Sequence, residues 1–189
     1  MSFMLSAAQT ALVLVDLQKG ILALPVAPRA SSEVLTNAAR LMRHFRERGG
    51  LVVLVRVSPS PDLKDRLQQP ADAPMPAHVP PPDWATFPAE MDGHDGPIIT
   101  KRQWGAFYGT ELDLQLRRRG IRTIVLGGIA TNFGVESTAR DAWERGYELV
   151  LVEDAMTSVN AEAHHFAISF TFPRIGLVRT SDQVIGAVN

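Results

Sequence analysis

Apolar residues along this chain fall into two alternating patterns. Continuous runs at Ala11–Val15, Leu51–Val57, Thr123–Leu126, Leu149–Val152 and Gly176–Val178, with a weaker one at Pro97–Thr100, predict strands. Runs without polar alternation are expected of strands buried on both faces. Between the first two runs, Val34, Leu35, Ala38, Leu41, Met42 and Phe45 recur at helical spacing, and Gly49-Gly50 supplies the stop. A second helix is expected from Thr110, where Thr110-Glu-Leu-Asp113 is similar to a capping box, to Arg117-Arg118-Arg119 before Gly120. Those arginines suit the negative end of a helix better than a nucleic-acid patch. A third helix is expected over Thr131–Trp143, with Val135, Ala139, Ala142 and Trp143 on one face, and a fourth over Asn160–Phe170.

Alternating β and α elements predict an α/β fold, a three-layer αβα sandwich with helices on both faces of a parallel sheet. The exception is the segment 58–97, which holds ten of the thirteen prolines and so excludes regular structure. Its aromatic residues Trp84 and Phe87 argue for an ordered excursion that walls a site or an oligomer contact rather than a linker. At 189 residues, with no internal repeat, the chain reads as a single domain, 1–189, carrying this Pro-rich insertion.

Composition narrows the chemistry. With 19 Lys and Arg against 20 Asp and Glu the chain has almost no net field, which disfavours nucleic acid or an anionic membrane as partner. The N-terminal residues lack the basic flank and apolar stretch of a signal peptide, and no apolar run reaches the ~20 residues of a membrane span, so a cytoplasmic protein is expected. There is no cysteine, which removes disulfides, thiolate metal sites and every thiol nucleophile.

In an open parallel sheet, ligands bind beyond the carboxyl ends of the strands, near the point where strand order reverses. Asp16 ends the first apolar run and Lys101 follows the weak one; taken singly, the first reads as a turn cap and the second as a surface lysine. The stretch 126–134, Leu-Gly-Gly-Ile-Ala-Thr-Asn-Phe-Gly, passes from strand to helix through small residues whose N–H groups could hold an oxyanion, or simply make a tight connection. Neither glycine-rich phosphate pattern is matched. Asp154 reads as a helix cap, and His164-His165 cannot both face inward from one helix.

Together, Val13-Leu-Val-Asp16-Leu-Gln18, Lys101 with Trp104-Gly-Ala-Phe107-Tyr-Gly-Thr110, and Gly128-Ile-Ala-Thr-Asn-Phe-Gly134-Val-Glu-Ser-Thr-Ala-Arg-Asp141 resemble the isochorismatase-like, or cysteine hydrolase, superfamily over nearly the whole chain. The resemblance implies a six-stranded parallel sheet in the order 3-2-1-4-5-6, no cofactor, a small-molecule substrate and a homo-oligomer. Most members use an Asp–Lys–Cys triad. Asp16 and Lys101 match its first two members, and Gly134 stands where the thiol would be. Isochorismatases, which cleave a vinyl ether, also carry glycine there, so the resemblance implies hydrolysis of a small organic acid or vinyl ether without a covalent intermediate, with Asp16 as general acid or base and Lys101 orienting it. The alternative is a binding protein that kept the pocket and lost the nucleophile. The resemblance also implies a non-proline cis peptide at Ile129–Ala130. It makes Gln18, Trp104, Phe107, Ile129, Ala130 and Gly134 candidate substrate contacts. No metal is expected: the Asp-x-His of nicotinamidases is replaced by Arg56-Val-Ser58-Pro59, and His78 and His94 lack ligand spacing. Ser137 and Thr138 lack an activating base as substitute nucleophiles.

Overall fold

The computed structural model describes residues 4–74 and 79–189, so His78 lies outside the described residues. Six parallel strands, β1 (Thr10–Val15), β2 (Leu51–Val57), β3 (Ile98–Lys101), β4 (Thr123–Ile129), β5 (Glu148–Thr157) and β6 (Leu177–Arg179), form one sheet in the order β3-β2-β1-β4-β5-β6. Strand order therefore reverses between β1 and β4. Successive residues alternate between two apolar layers, and both are sealed, which is why the strands read as unbroken apolar runs. Leu12, Leu14, Leu54 and Val125 face α2 (Ser31–Glu47) and α7 (Ser181–Ala187). Val13, Val53, Ile124 and Leu126 face α3 (Leu112–Arg118) and α4 (Glu136–Glu144). A short α1 (Lys19–Leu22) follows β1, and α5 (Ala161–Phe166) and α6 (Phe172–Ile175) lie between β5 and β6.

Several expected boundaries shift for physical reasons. β5 is ten residues long, because its pairing with β4 slips between Leu126 and Gly128 and then resumes. At Gly128, φ is 131° and an added Cβ would lie 2.1 Å from the Val15 carbonyl oxygen, so only glycine lets β4 approach β1 there. The second helix starts at Leu112 rather than Thr110: the Thr110 hydroxyl donates to the Ala106 carbonyl at 2.5 Å and accepts from Leu112 N–H, closing a turn instead of a capping box. The third helix begins with a π-type turn, Thr131–Val135, and the altered phase puts Trp143 at the surface, 53% exposed, instead of on the buried face. Asp154 does not cap the helix that follows it in the chain, since it lies inside β5 and Asn160 caps α5; its carboxylate instead accepts from Ser181 N–H and Ser181 Oγ, both at 2.7 Å, in the first turn of the distant α7.

In the described parts of the Pro-rich segment the one regular element is a 3-10 turn, Ala89–Met91. The segment is nevertheless tied down. Trp84 and Thr86 carbonyls accept from Gly20 and Lys19 N–H, both at 2.9 Å, and Phe87 packs on the α2 side of the core.

Candidate active site

β1 delivers Asp16 and then leaves the ladder. Asp16 N–H still donates to the Val55 carbonyl (2.8 Å), but φ is 55°, a left-handed conformation uncommon outside glycine, which turns the chain away from β2. Lys101, the last residue of β3, lies two strand spacings from β1, about 9.6 Å by the usual interstrand distance. The four-carbon lysine stem and the aspartate side chain bridge that gap, and Lys101 Nζ donates to Asp16 Oδ2 at 2.7 Å and to the Gln103 carbonyl at 3.1 Å. Both side chains are sealed, with Asp16 4% and Lys101 2% exposed. The other carboxylate oxygen, Asp16 Oδ1, is buried and has no hydrogen-bond partner among the described residues.

Burial and charge oppose each other at this carboxyl, and burial wins. Loss of water pushes Asp16 up to about 6, against the charge and hydrogen bond of Lys101 and a smaller pull from Val57 N–H. Asp16 therefore keeps its proton to higher pH than an ordinary carboxyl.

Gly134 faces the pair from the other side of the reversal point. Its ideal Cβ would lie 3.1 Å from Asp16 Oδ2, 3.2 Å from Val15 Cγ1 and 3.5 Å from Lys101 Nζ. The expected cis bond is present at Ile129–Ala130, leading into the turn Thr131–Val135 and α4. That turn directs the positive end of its helix at the site.

The other expected contacts separate. Trp104 is half exposed and lies in a tilted pair with Phe133, ring centroids 4.8 Å apart. Phe133 was not among the sequence candidates, although it directly precedes Gly134. Phe107 does not line the site: its ring is buried against Tyr147 (5.9 Å), with Arg145 over its face, at the amino-terminal end of β5. Gln18 is also withdrawn from a substrate. It is fully buried, its Oε1 accepts from Val57 N–H (2.8 Å), and its Nε2 donates to the carbonyls of Val57 (3.0 Å) and Trp84 (3.3 Å). Thr138 is no nucleophile either, since its hydroxyl donates to the Gly134 carbonyl (2.6 Å) and accepts from Ala106 N–H (3.1 Å).

Of the histidine pair, His164 is buried and His165 exposed. His164 Nδ1 lies 2.8 Å from the Thr131 hydroxyl, in the turn next to the site. Burial, with help from His165 and Arg29, pushes its ring down to about 4, so it is neutral at pH 7. Ser158 Oγ donates to Asn132 Oδ1 beside it, so the β5–α5 connection braces this turn through two side chains. No group of three or more His, Asp or Glu among the described residues is placed to hold a metal. A groove of about 470 Å³ lined by Arg46, Asp95, Gln115 and Arg119 opens at the opposite, amino-terminal edge of β2 and β3, remote from the buried pair.

Comparison with known proteins gives the family and the fold. The isochorismatase domain model matches residues 10–183. The chain is 52% identical to the uncharacterized isochorismatase family protein YecD of Escherichia coli O157:H7, over 97% of this chain and 98% of that one. It is 47% identical to the uncharacterized isochorismatase family protein YwoC of Bacillus subtilis, over 95% and 94% respectively. The solved structure of an isochorismatase family protein from Burkholderia thailandensis superimposes with a TM-score of 0.92 at 43% identity, covering 95% of each chain.

Proposed function

This chain belongs to the isochorismatase family of hydrolases, and from that premise we propose that it hydrolyses a small organic acid or its vinyl ether without a covalent enzyme intermediate. Asp16 is the general acid and base in this reading, and Lys101 orients it and holds charge. Amide hydrolysis through a thioester is closed to a chain without cysteine. Vinyl ether hydrolysis needs only a proton donor and water. Asp16 gives its proton to the terminal alkene carbon, and the positive charge that forms is shared with the ether oxygen. Water adds to that oxocarbenium carbon and returns a proton to the carboxylate. The resulting hemiketal collapses to pyruvate and the ring alcohol, so every proton is accounted for.

The observation that carries the proposal is the buried carboxyl held near 6 with one oxygen, Oδ1, left without a partner beside a residue lacking a side chain. The half-exposed Trp104–Phe133 pair supports a flat unsaturated ring as the substrate's body. Ala130 and Gly134 supply backbone at the turn, with Ile129 buried behind them. The reading includes a homo-oligomer, for which exposed Trp143, Phe166 and Phe170 offer apolar surface.

The test is pyruvate release from isochorismate by the protein and by Asp16→Asn. We expect turnover in the first and a loss of about 100-fold or more in the second, the usual share of a positioned acid. Equal rates would remove Asp16 from the chemistry. Absence of turnover in both moves the weight to another substrate or, with ligand-dependent thermal stabilisation and no product from any acid tried, to a binding protein.

A further inference from the structure

In a parallel ladder a residue donates its N–H to one neighbour and accepts, at its carbonyl, from the residue two positions further along the same strand. Asp16 N–H donates to Val55, so an unbroken ladder would bring Val57 N–H to the Asp16 carbonyl. The left-handed turn at Asp16 breaks that sequence, and the side-chain amide of Gln18 takes both backbone groups of Val57 in place of the missing strand. It also ties in the Trp84 carbonyl of the Pro-rich segment.

We propose that Gln18 is a positioning residue for Asp16: by taking Val57 N–H at hydrogen-bond distance it leaves the carboxyl only a weak pull from that donor and keeps Oδ1 free of a hydrogen bond, able to carry the proton. The proposal rests on the reading of Asp16 as the acid. Two acceptors compete for one donor, and Gln18 Oε1 holds it at 2.8 Å, while Asp16 Oδ1 has no partner among the described residues. The charged group facing Asp16 is Lys101, from β3; β2 presents the Val57 backbone, and the turn after β4 presents Gly134. A released Val57 N–H would favour the ionised carboxylate, which loses roughly one pH unit in midpoint for each backbone N–H it accepts.

The test follows the Asp16 carboxyl by carbon-13 NMR on the full chain, with the resonance assigned by its loss in Asp16→Asn. Gln18→Met, similar in length but with only a weak thioether acceptor, should lower the midpoint by about one unit. Gln18→Glu keeps an acceptor for Val57 N–H and should leave the midpoint unchanged or raised. A Gln18→Met midpoint equal to wild type overturns the proposal. So does a fall in Gln18→Glu, because a merely structural role admits water in both variants and lowers both. Should Gln18→Met not fold, a fall in the Gln18→Glu midpoint still overturns the proposal. None of these readings needs a substrate, so a failure of the hydrolase reading, seen as no wild-type turnover, is distinguishable. Where wild type turns over, the pH dependence of kcat should move with the titration.

Discussion

Lys101 and Asp16, 85 positions apart in the chain, meet through one 2.7 Å contact to Oδ2, while Oδ1 of the same carboxylate is buried with no partner among the described residues. The asymmetry sets the carboxyl's two oxygens apart. One oxygen is fixed by a cation, and the other is kept dry and free, which holds a proton at a pH where most carboxyls have lost it.

Removing the lysine should therefore raise the midpoint of Asp16 above about 6, because the charge that favours its ionised form is gone. In Lys101→Met the limb of the pH–rate profile that falls with rising pH should move upward, and the rate should drop about 100-fold or more. Each single deletion breaks a buried pair and should cost about 3–5 kcal/mol. Thermal denaturation at pH 7 should place Asp16→Leu and Lys101→Met both below wild type.

Gly134→Cys should create a reactive thiol and, under the proposed reaction, abolish vinyl ether cleavage. Its Cβ would lie 3.5 Å from Lys101 Nζ in the opening turn of a helix, both of which favour thiolate. Alkylation by iodoacetamide should titrate with a midpoint below the usual ~8.5 of cysteine. The 3.1 Å approach to Asp16 Oδ2 requires small shifts, so stability should fall by about 1–3 kcal/mol. A midpoint at or above the ordinary value would contradict this placement.

His164 and Asp16 should pull stability in opposite directions with pH. A buried histidine held near 4 stays neutral in the fold while the unfolded ring binds a proton below about 6.5, so its contribution is lost as pH falls from 6.5 towards 4. Asp16, raised to about 6, contributes fully below 3.8 and loses that contribution as pH rises through 6. His164→Asn should thus gain stability relative to wild type on going from pH 6.5 to 4. Because the bond to Thr131 uses Nδ1, asparagine should keep more turnover than His164→Gln. Equal losses in the two variants would show that the bond to Thr131 is immaterial.

Trp104 and Phe107 should part company. Trp104→Ala, at a half-exposed ring, should shift stability by less than about 1 kcal/mol while raising KM. Phe107→Ala empties a core position and should cost about 3–5 kcal/mol, with KM unchanged in the fraction that folds. Calorimetry and steady-state kinetics on the two variants check both halves.

Some of what was missed did have a local signal. The apolar pattern alone gives no last helix, α7, yet Thr180-Ser-Asp-Gln183 is a capping box, and both of its reciprocal bonds are present. Phe133 adjoins Gly134 and could have been taken with it. Trp143 leaves its expected face because a constant 3.6-residue period does not pass through a turn with π geometry.

By itself the sequence determined the layered α/β architecture, because burial on both faces writes an unbroken apolar run into each strand, a local pattern that needs no partner to be read. It also determined that no thiol chemistry is possible, and its motifs marked Asp16, Lys101 and Gly134. The tertiary structure alone decided what those residues are to one another. Whether a carboxyl keeps its proton depends on how completely water is excluded and how near a cation comes. Likewise, whether Gln18 meets a substrate or a broken ladder depends on where the chain turns. Such quantities arise between segments far apart in sequence, and no local pattern encodes them.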